Sequence, residues 1–259
     1  DRLLSRGLGD VYKRQMVTRV ASATREIRVG SGGVMLSHYS PYKVAETFKV
    51  LENMFPGRID LGIGRAPGSD HRTAIALAYG SQVGIEYFPA KIRDMAGFLI
   101  DELPSEHPLA GVRATPRVDV LPEIWILASS EGSTTLAAQF GMGLSYAHFI
   151  NPADTEILLR MYRDNFKPSE HLTEPHVTMG IFVLCAETEE EAERMVLSRD
   201  LHRLRADRGI HGPMPSPETA AAYNYTEIEK RRVQQYRQRL IFGTPDKVKT
   251  EIEAMAERY

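Results

Sequence analysis

Residues 27–70 read IRVGSGGVMLSHYSPYKVAETFKVLENMFPGRIDLGIGRAPGSD, and this stretch decides the fold. The apolar run over 27–36, broken by Gly30, Gly32 and Gly33, predicts a strand that something approaches closely, because glycine in a buried strand leaves room against the backbone. Ser40-Pro41 predicts a helix start, with a capping residue followed by proline at the first helical position. Val44, Ala45, Phe48 and Leu51 then recur at helical spacing and give that helix one apolar face. Pro56-Gly57 makes a turn, and 59–64 is a second strand that ends at Gly64-Arg65. Two apolar strands joined through a helix form a parallel βαβ unit.

The chain around it has 259 residues, a quarter of them charged, with a formal net charge of −2. That suffices for one large α/β domain, and the charge gives no reason to expect a nucleic acid or a membrane surface as partner. A single cysteine, Cys185, leaves no intrachain disulfide framework; ending an apolar run, it reads as a plain core thiol. No apolar run approaches the roughly 20 residues of a membrane span. The expectation is a soluble, cytoplasmic domain.

Outward from the opening stretch, residues 1–15, DRLLSRGLGDVYKRQ, carry neither apolar periodicity nor a signal-peptide core and read as a non-native leader. A polar Gly/Ser/Asp loop is expected from Arg65 to residue 82. Ile85, Phe88, Ile92, Met95 and Leu99 mark a helix, and the proline-broken stretch 103–121 has room for a short hairpin. A strand at 123–128 leads through Ser129-Ser130 into a helix that Gly141 closes. Further strands are expected at 144–150 and 176–186, with a capping box at Thr188 and Glu191. Thr244-Pro245 opens a last helix, with Val248, Ile252 and Met255 as its buried face.

In parallel α/β folds, ligands gather at the carboxyl ends of the strands. Arg65 falls there and can offer two N–H groups to an anion. Ser130 ends the next strand, and Ser133 and Thr134 lie in the first turn of its helix, where hydroxyls and free amides make an anion nest. Each has a plainer reading: an arginine after a strand is most often a surface charge, and a serine before a helix most often only a cap. Gly32 and Gly33 would let a flat ring lie against the first strand, or would simply be bulge glycines. His38 and His148 each follow a strand and are weak candidates for proton transfer, with a polar rim as the plainer reading. The other histidines show no metal-ligand spacing, and no metal site is expected. Gly62-x-Gly64 lacks the third glycine of a dinucleotide fingerprint, so a Rossmann domain is not expected.

VGSGGVML at 29–36, the helix after it and PGRIDLGIGRAPGSD at 56–70 resemble, in order and spacing, the bacterial luciferase-like monooxygenase family. A weaker likeness runs through 125–150 and 241–248, so the resemblance covers the chain from about residue 16. It implies an α/β fold, the (β/α)8 TIM barrel of the luciferase-like type, incomplete here: residues 16–259 form a partial barrel domain with five clear strands. Two strands of the eight would be missing at the start and one at the end, and the family's catalytic histidine sits in that missing first part. It further implies a monooxygenase that uses reduced FMN, supplied by a flavin reductase, and O2 on a small organic substrate, commonly as a homodimer. Alternatives are a hydride-transferring oxidoreductase using deazaflavin F420 and a non-catalytic flavin-binding protein. Carried over by position, Arg65, Ser130 and Ser133 would hold the flavin phosphate, with Thr134 in the same turn, and Gly32, Gly33 and Val34 would back the ring. Ser129 stands where many relatives carry a carboxylate.

Overall fold

Alternating apolar and small residues set the order of elements. The computed structural model describes residues 9–66, 68, 71–79, 84–210 and 212–259, with side chains from residue 15 onward except that of residue 71. Elements follow in the order α1 (Gly9–Ala23), β1 (Val29–Met35), a 3-10 turn (Leu36–His38), α2 (Pro41–Met54), β2 (Ile59–Gly64), α3 (His71–Ala78), α4 (Phe88–Ile100), β3 (Glu123–Ala128) and α5 (Glu131–Gln139). Then come β4 (Gly143–Ala147), α6 (Thr155–Asp164), β5 (Val177–Gly180), β6 (Phe182–Cys185), α7 (Glu189–Asp207), α8 (Pro217–Ala221), α9 (Glu227–Arg237), β7 (Leu240–Gly243) and α10 (Pro245–Arg258). Among the described residues the chain divides into two compact units, 9–146 with 157–178, and 147–156 with 179–259.

The first unit is built on a sheet in the order β1-β2-β3-β4-β5, with β1 through β4 paired in parallel. Ile59, Leu61 and Ile63 of β2 are fully buried, as are Ile126 and Leu144 on the strands beyond. Phe48 and Leu51 of α2 and Ile92, Met95, Phe98 and Leu99 of α4 complete the core, each large apolar side chain contributing about 1.5–3 kcal/mol by its removal from water. One charged residue sits inside it. Lys49 is fully buried, its Nζ 2.7 Å from Asp101 Oδ1 and 2.9 Å from the Ala114 carbonyl. Asp101 ends α4 in the left-handed conformation, at φ 60°. At the amino ends of the strands a row of charges crosses the sheet: Arg28 pairs with Asp60 and Glu123, and His176 Nδ1 lies 3.0 Å from Glu123. That end ties strands together, and in parallel α/β folds it is the opposite end at which ligands gather.

The second unit pairs β6 with β7 in parallel and packs helices α7 to α10 around them. In α9 the cap is complete: Thr226 accepts from the Glu229 amide, and Glu229 accepts from the Thr226 amide at 2.7 Å. The Thr226 amide and hydroxyl, the Tyr223 hydroxyl and Arg208 together hold the Glu229 carboxyl down to about 2. Its stabilisation is therefore fully present above the ordinary carboxylate range, near pH 4.5, and is lost as pH falls through about 2. Following the Glu229 carboxyl carbon by NMR should give a midpoint near 2, and Glu229→Gln should remove this step from the acid unfolding curve.

Several expectations change. The strand expected at 176–186 is two, because the chain changes hydrogen-bonding partner at Ile181 from the large sheet to β7. Cys185 is exposed rather than in the core: on β6 the alternation turns Phe182 and Leu184 inward and Val183 and Cys185 outward. The segment expected as loop to residue 82 contains α3, while residues 67, 69–70 and 80–83 lie outside the described residues, as do residues 1–8 of the expected leader. Residues 103–121 form turns and no hairpin, and α4 begins at Phe88 with Ile85 exposed ahead of it. Thr188 caps α7 through the Glu191 amide, and Gly141 follows α5 at φ 59°. On α10, Val248 is buried and Ile252 exposed.

Candidate functional site

The site begins where β1 leaves its register. Ser31 pairs with Leu61 and Val34 with Ile63, so β1 carries one extra residue across the Gly32-Gly33 step, whose peptide is cis. The glycines differ in what they serve. A Cβ on Gly30 would strike the Asp60 carbonyl at 2.3 Å, and one on Gly33 would come within 2.9 Å of the Gly62 carbonyl. A Cβ on Gly32 would meet nothing within 4 Å, and this residue is exposed. Strand pairing therefore demands Gly30 and Gly33, while Gly32 lies beside open space. Val34, half-buried, follows on the same strand.

On the neighbouring strand Arg65 stands one residue past β2, half-buried. Its guanidinium lies against the first turn of α5, next to the third strand. Arg65 Nη2 is 3.4 Å from Ser130 Oγ, and a Cβ on Gly132 would be 3.4 Å from Nη1. Ser130 is the helix cap in extended conformation, yet its side chain makes no capping bond. Thr134 N makes the first helical bond, to the Ser130 carbonyl at 3.1 Å, and the Thr134 hydroxyl donates to the same oxygen at 3.0 Å. The amides of Glu131, Gly132 and Ser133 thus precede the helical ladder with no help from the cap side chain. Ser133 and Thr134 are buried, and the carboxylate of that turn, Glu131, is exposed. A guanidinium over free helix-terminal amides is an arrangement that binds an anion.

The structure thus places Gly32, Gly33 and Val34 on β1, Arg65 just past the adjacent β2, and Ser130, Ser133 and Thr134 at the cap and first turn of α5 after β3, with Arg65 and Ser130 in contact. The two histidines are placed otherwise. His38 ends the 3-10 turn after β1. His148 belongs to the second unit, with Nδ1 2.7 Å from Thr155 Oγ1; burial and the nearby Arg258 push its pKa down. Among the described residues no group of three His, Cys, Asp or Glu is placed to hold a metal ion, and no helix is long and apolar enough to cross a membrane. Sequence reasoning missed Gly132. The sequence carried no local signal for it, since a glycine in the first turn of a helix costs little and its neighbour Arg65 comes from a different strand.

Comparison with known proteins gives a consistent result. Residues 14–259 match the family model described as luciferase-like monooxygenase. The chain is 44% identical over 248 residues to the uncharacterized protein YceB of Bacillus subtilis (strain 168), spanning 96% of this chain and 75% of that protein. It is 36% identical over 242 residues to the N-acetyl-S-alkylcysteine monooxygenase of the same strain, spanning 93% of this chain and 72% of the other. The crystal structure of apo-MsnO8 superposes with a TM-score of 0.80 at 32% identity, over 95% of this chain and 72% of that one. Two more distant structures share the fold. One is the oxygenating constituent of 3,6-diketocamphane monooxygenase from Pseudomonas putida in complex with FMN, with TM-score 0.64 at 17% identity over 95% of this chain and 74% of that one. The other is an F420-dependent secondary alcohol dehydrogenase in complex with an F420-acetone adduct, with TM-score 0.58 at 13% identity over 95% and 75%.

Proposed function

The chain belongs to the luciferase-like monooxygenase family, and we propose that it is a flavin-dependent monooxygenase using reduced FMN and O2 on a small organic substrate. One observation carries the cofactor reading: the Arg65 guanidinium lies over a helix terminus whose cap side chain leaves the first amides free. A phosphate fits there. Two guanidinium N–H groups, the amides of Gly132 and Ser133 and the Ser130 and Ser133 hydroxyls would share its oxygens, with Thr134 holding the cap carbonyl behind them. The open side of Gly32 admits a flat ring, with Gly33 and Val34 backing it. When bound, reduced FMN supplies the electrons for oxygen chemistry; the protein's share is to fix the ring against β1 and neutralise the phosphate.

FMN is favoured over F420 because a relative at 36% identity is named a monooxygenase, whereas the F420-dependent dehydrogenase stands at 13%. A separate flavin reductase would deliver the reduced cofactor. The test is a titration of the chain with FMN, riboflavin and F420 by fluorescence, then oxygen uptake with a flavin reductase and a panel of aldehydes and thioethers. The expected result is FMN binding at least about tenfold tighter than riboflavin, the worth of charge-assisted phosphate contacts, with substrate-dependent oxygen uptake above the reductase background. Tighter binding of F420 with no oxygen uptake would move the assignment to hydride transfer. Tight FMN binding with no turnover of any panel member would make the chain a flavin-binding protein.

A further inference from the structure

The main chain of Arg65 has a feature that strand pairing does not supply. The last registered pairs of β2 are Gly64 with Met35 on one side and with Leu127 on the other, so Arg65 lies one residue beyond the ladder. It follows Gly64, where a Cβ would meet nothing within 4 Å. A side chain from the neighbouring turn reaches its carbonyl. The Ser37 hydroxyl, buried, donates to the Arg65 carbonyl at 2.9 Å.

Ser37 is itself held. It sits in the 3-10 turn Leu36–His38, closed by the Tyr39 amide donating to the Leu36 carbonyl at 3.2 Å. The Lys91 ammonium reaches across from α4 and donates to three carbonyls of this turn and its cap residue, at 3.2 Å to Leu36, 2.7 Å to Ser37 and 3.2 Å to Tyr39. All three of its N–H groups therefore go to one turn. Burial of this amine pushes its pKa below the ordinary lysine range, the cost of placing an ammonium where carbonyls alone solvate it.

We infer that Ser37 and Lys91 are positioning residues for the phosphate contact: Lys91 fixes the turn after β1, and Ser37 transmits that placement to the Arg65 main chain. This rests on the reading of Arg65 and α5 as a phosphate cradle. It adds that the aim of the arginine is set from a different strand and helix than those that form the cradle.

The test uses the ratio of FMN to riboflavin affinity in the full chain, which isolates the phosphate contact from ring binding. Ser37→Ala and Lys91→Met are each expected to lower that ratio about 3- to 10-fold, the worth of one positioned hydrogen bond, with riboflavin affinity held within about twofold. Ser37→Thr should restore it. Adding Ser37→Ala to Arg65→Ala should lower the ratio no further, since the two act on one contact. A ratio that falls in Arg65→Ala but not in Ser37→Ala overturns the positioning role and leaves the cradle standing. Equal losses for FMN and riboflavin also overturn it, because they mark a general disturbance of the fold. An unchanged ratio in Arg65→Ala overturns the cradle and this inference with it. If Lys91→Met fails to fold, Ser37→Ala, which removes one oxygen, decides.

Discussion

Arg65→Ala is expected to weaken FMN binding by about 10- to 100-fold and to leave riboflavin binding nearly unchanged, as loss of charge-assisted hydrogen bonds to a phosphate requires. Arg65 is half-buried, with its guanidinium 3.4 Å from Ser130 Oγ and beside Gly132 in the first turn of α5. The measurement is a fluorescence-quenching titration of both flavins at two salt concentrations. The FMN difference between wild type and variant should narrow at the higher salt, because ions screen a partly exposed charge. Arg65→Lys should recover only part of the loss, since an ammonium cannot present two parallel N–H groups to a phosphate. Equal weakening of both flavins would instead assign Arg65 a role in folding.

The second large effect lies in the core. Asp101→Asn is expected to destabilise the chain by about 3 kcal/mol or more, because it strips the charge from the partner of a fully buried ammonium. Asparagine tolerates the left-handed backbone at this position, so the loss reports the ion pair and not strain at φ 60°. What remains for Lys49 are neutral acceptors, an amide oxygen at position 101 and the Ala114 carbonyl at 2.9 Å, with no counter-charge. In a chain of this length the melting temperature should fall by about 6–12 °C. Lys49→Met combined with Asp101→Asn should regain most of it, since no buried charge is then left unpaired. Little loss in Asp101→Asn alone would mean that water reaches the pair.

The fold was legible where local pattern and burial agree. The runs 59–64 and 123–128 become β2 and β3 as expected, and the face of Val44, Ala45, Phe48 and Leu51 is the buried face of α2. Arg65 and Ser130 were legible as strand-end residues, and their approach to one another follows from β2 lying beside β3. Other features had no local signal. An apolar run from 176 to 186 says nothing about which strand each half pairs with, and so hides both the break at Ile181 and the exposure of Cys185. The bracing of Arg65 joins residues 28 positions apart, and that of Ser37 by Lys91 spans 54. Neither spacing has a period, and on α4 Lys91 reads only as part of a polar face. Such bonds belong to the tertiary structure.

The cap that Ser130 does not make has a thermodynamic meaning. A serine bonded to its own helix stabilises it by about 1 kcal/mol, and here that contribution is absent; an anion bound as proposed would satisfy the same donors. Folding and ligation are then linked by mass action. Ligand at a hundred times its dissociation constant would add about 2.7 kcal/mol to the folded state. If the proposed flavin phosphate is that anion, a chain built this way would lose folded copies to turnover when flavin is scarce and keep them when flavin is plentiful, so that its abundance would follow flavin supply.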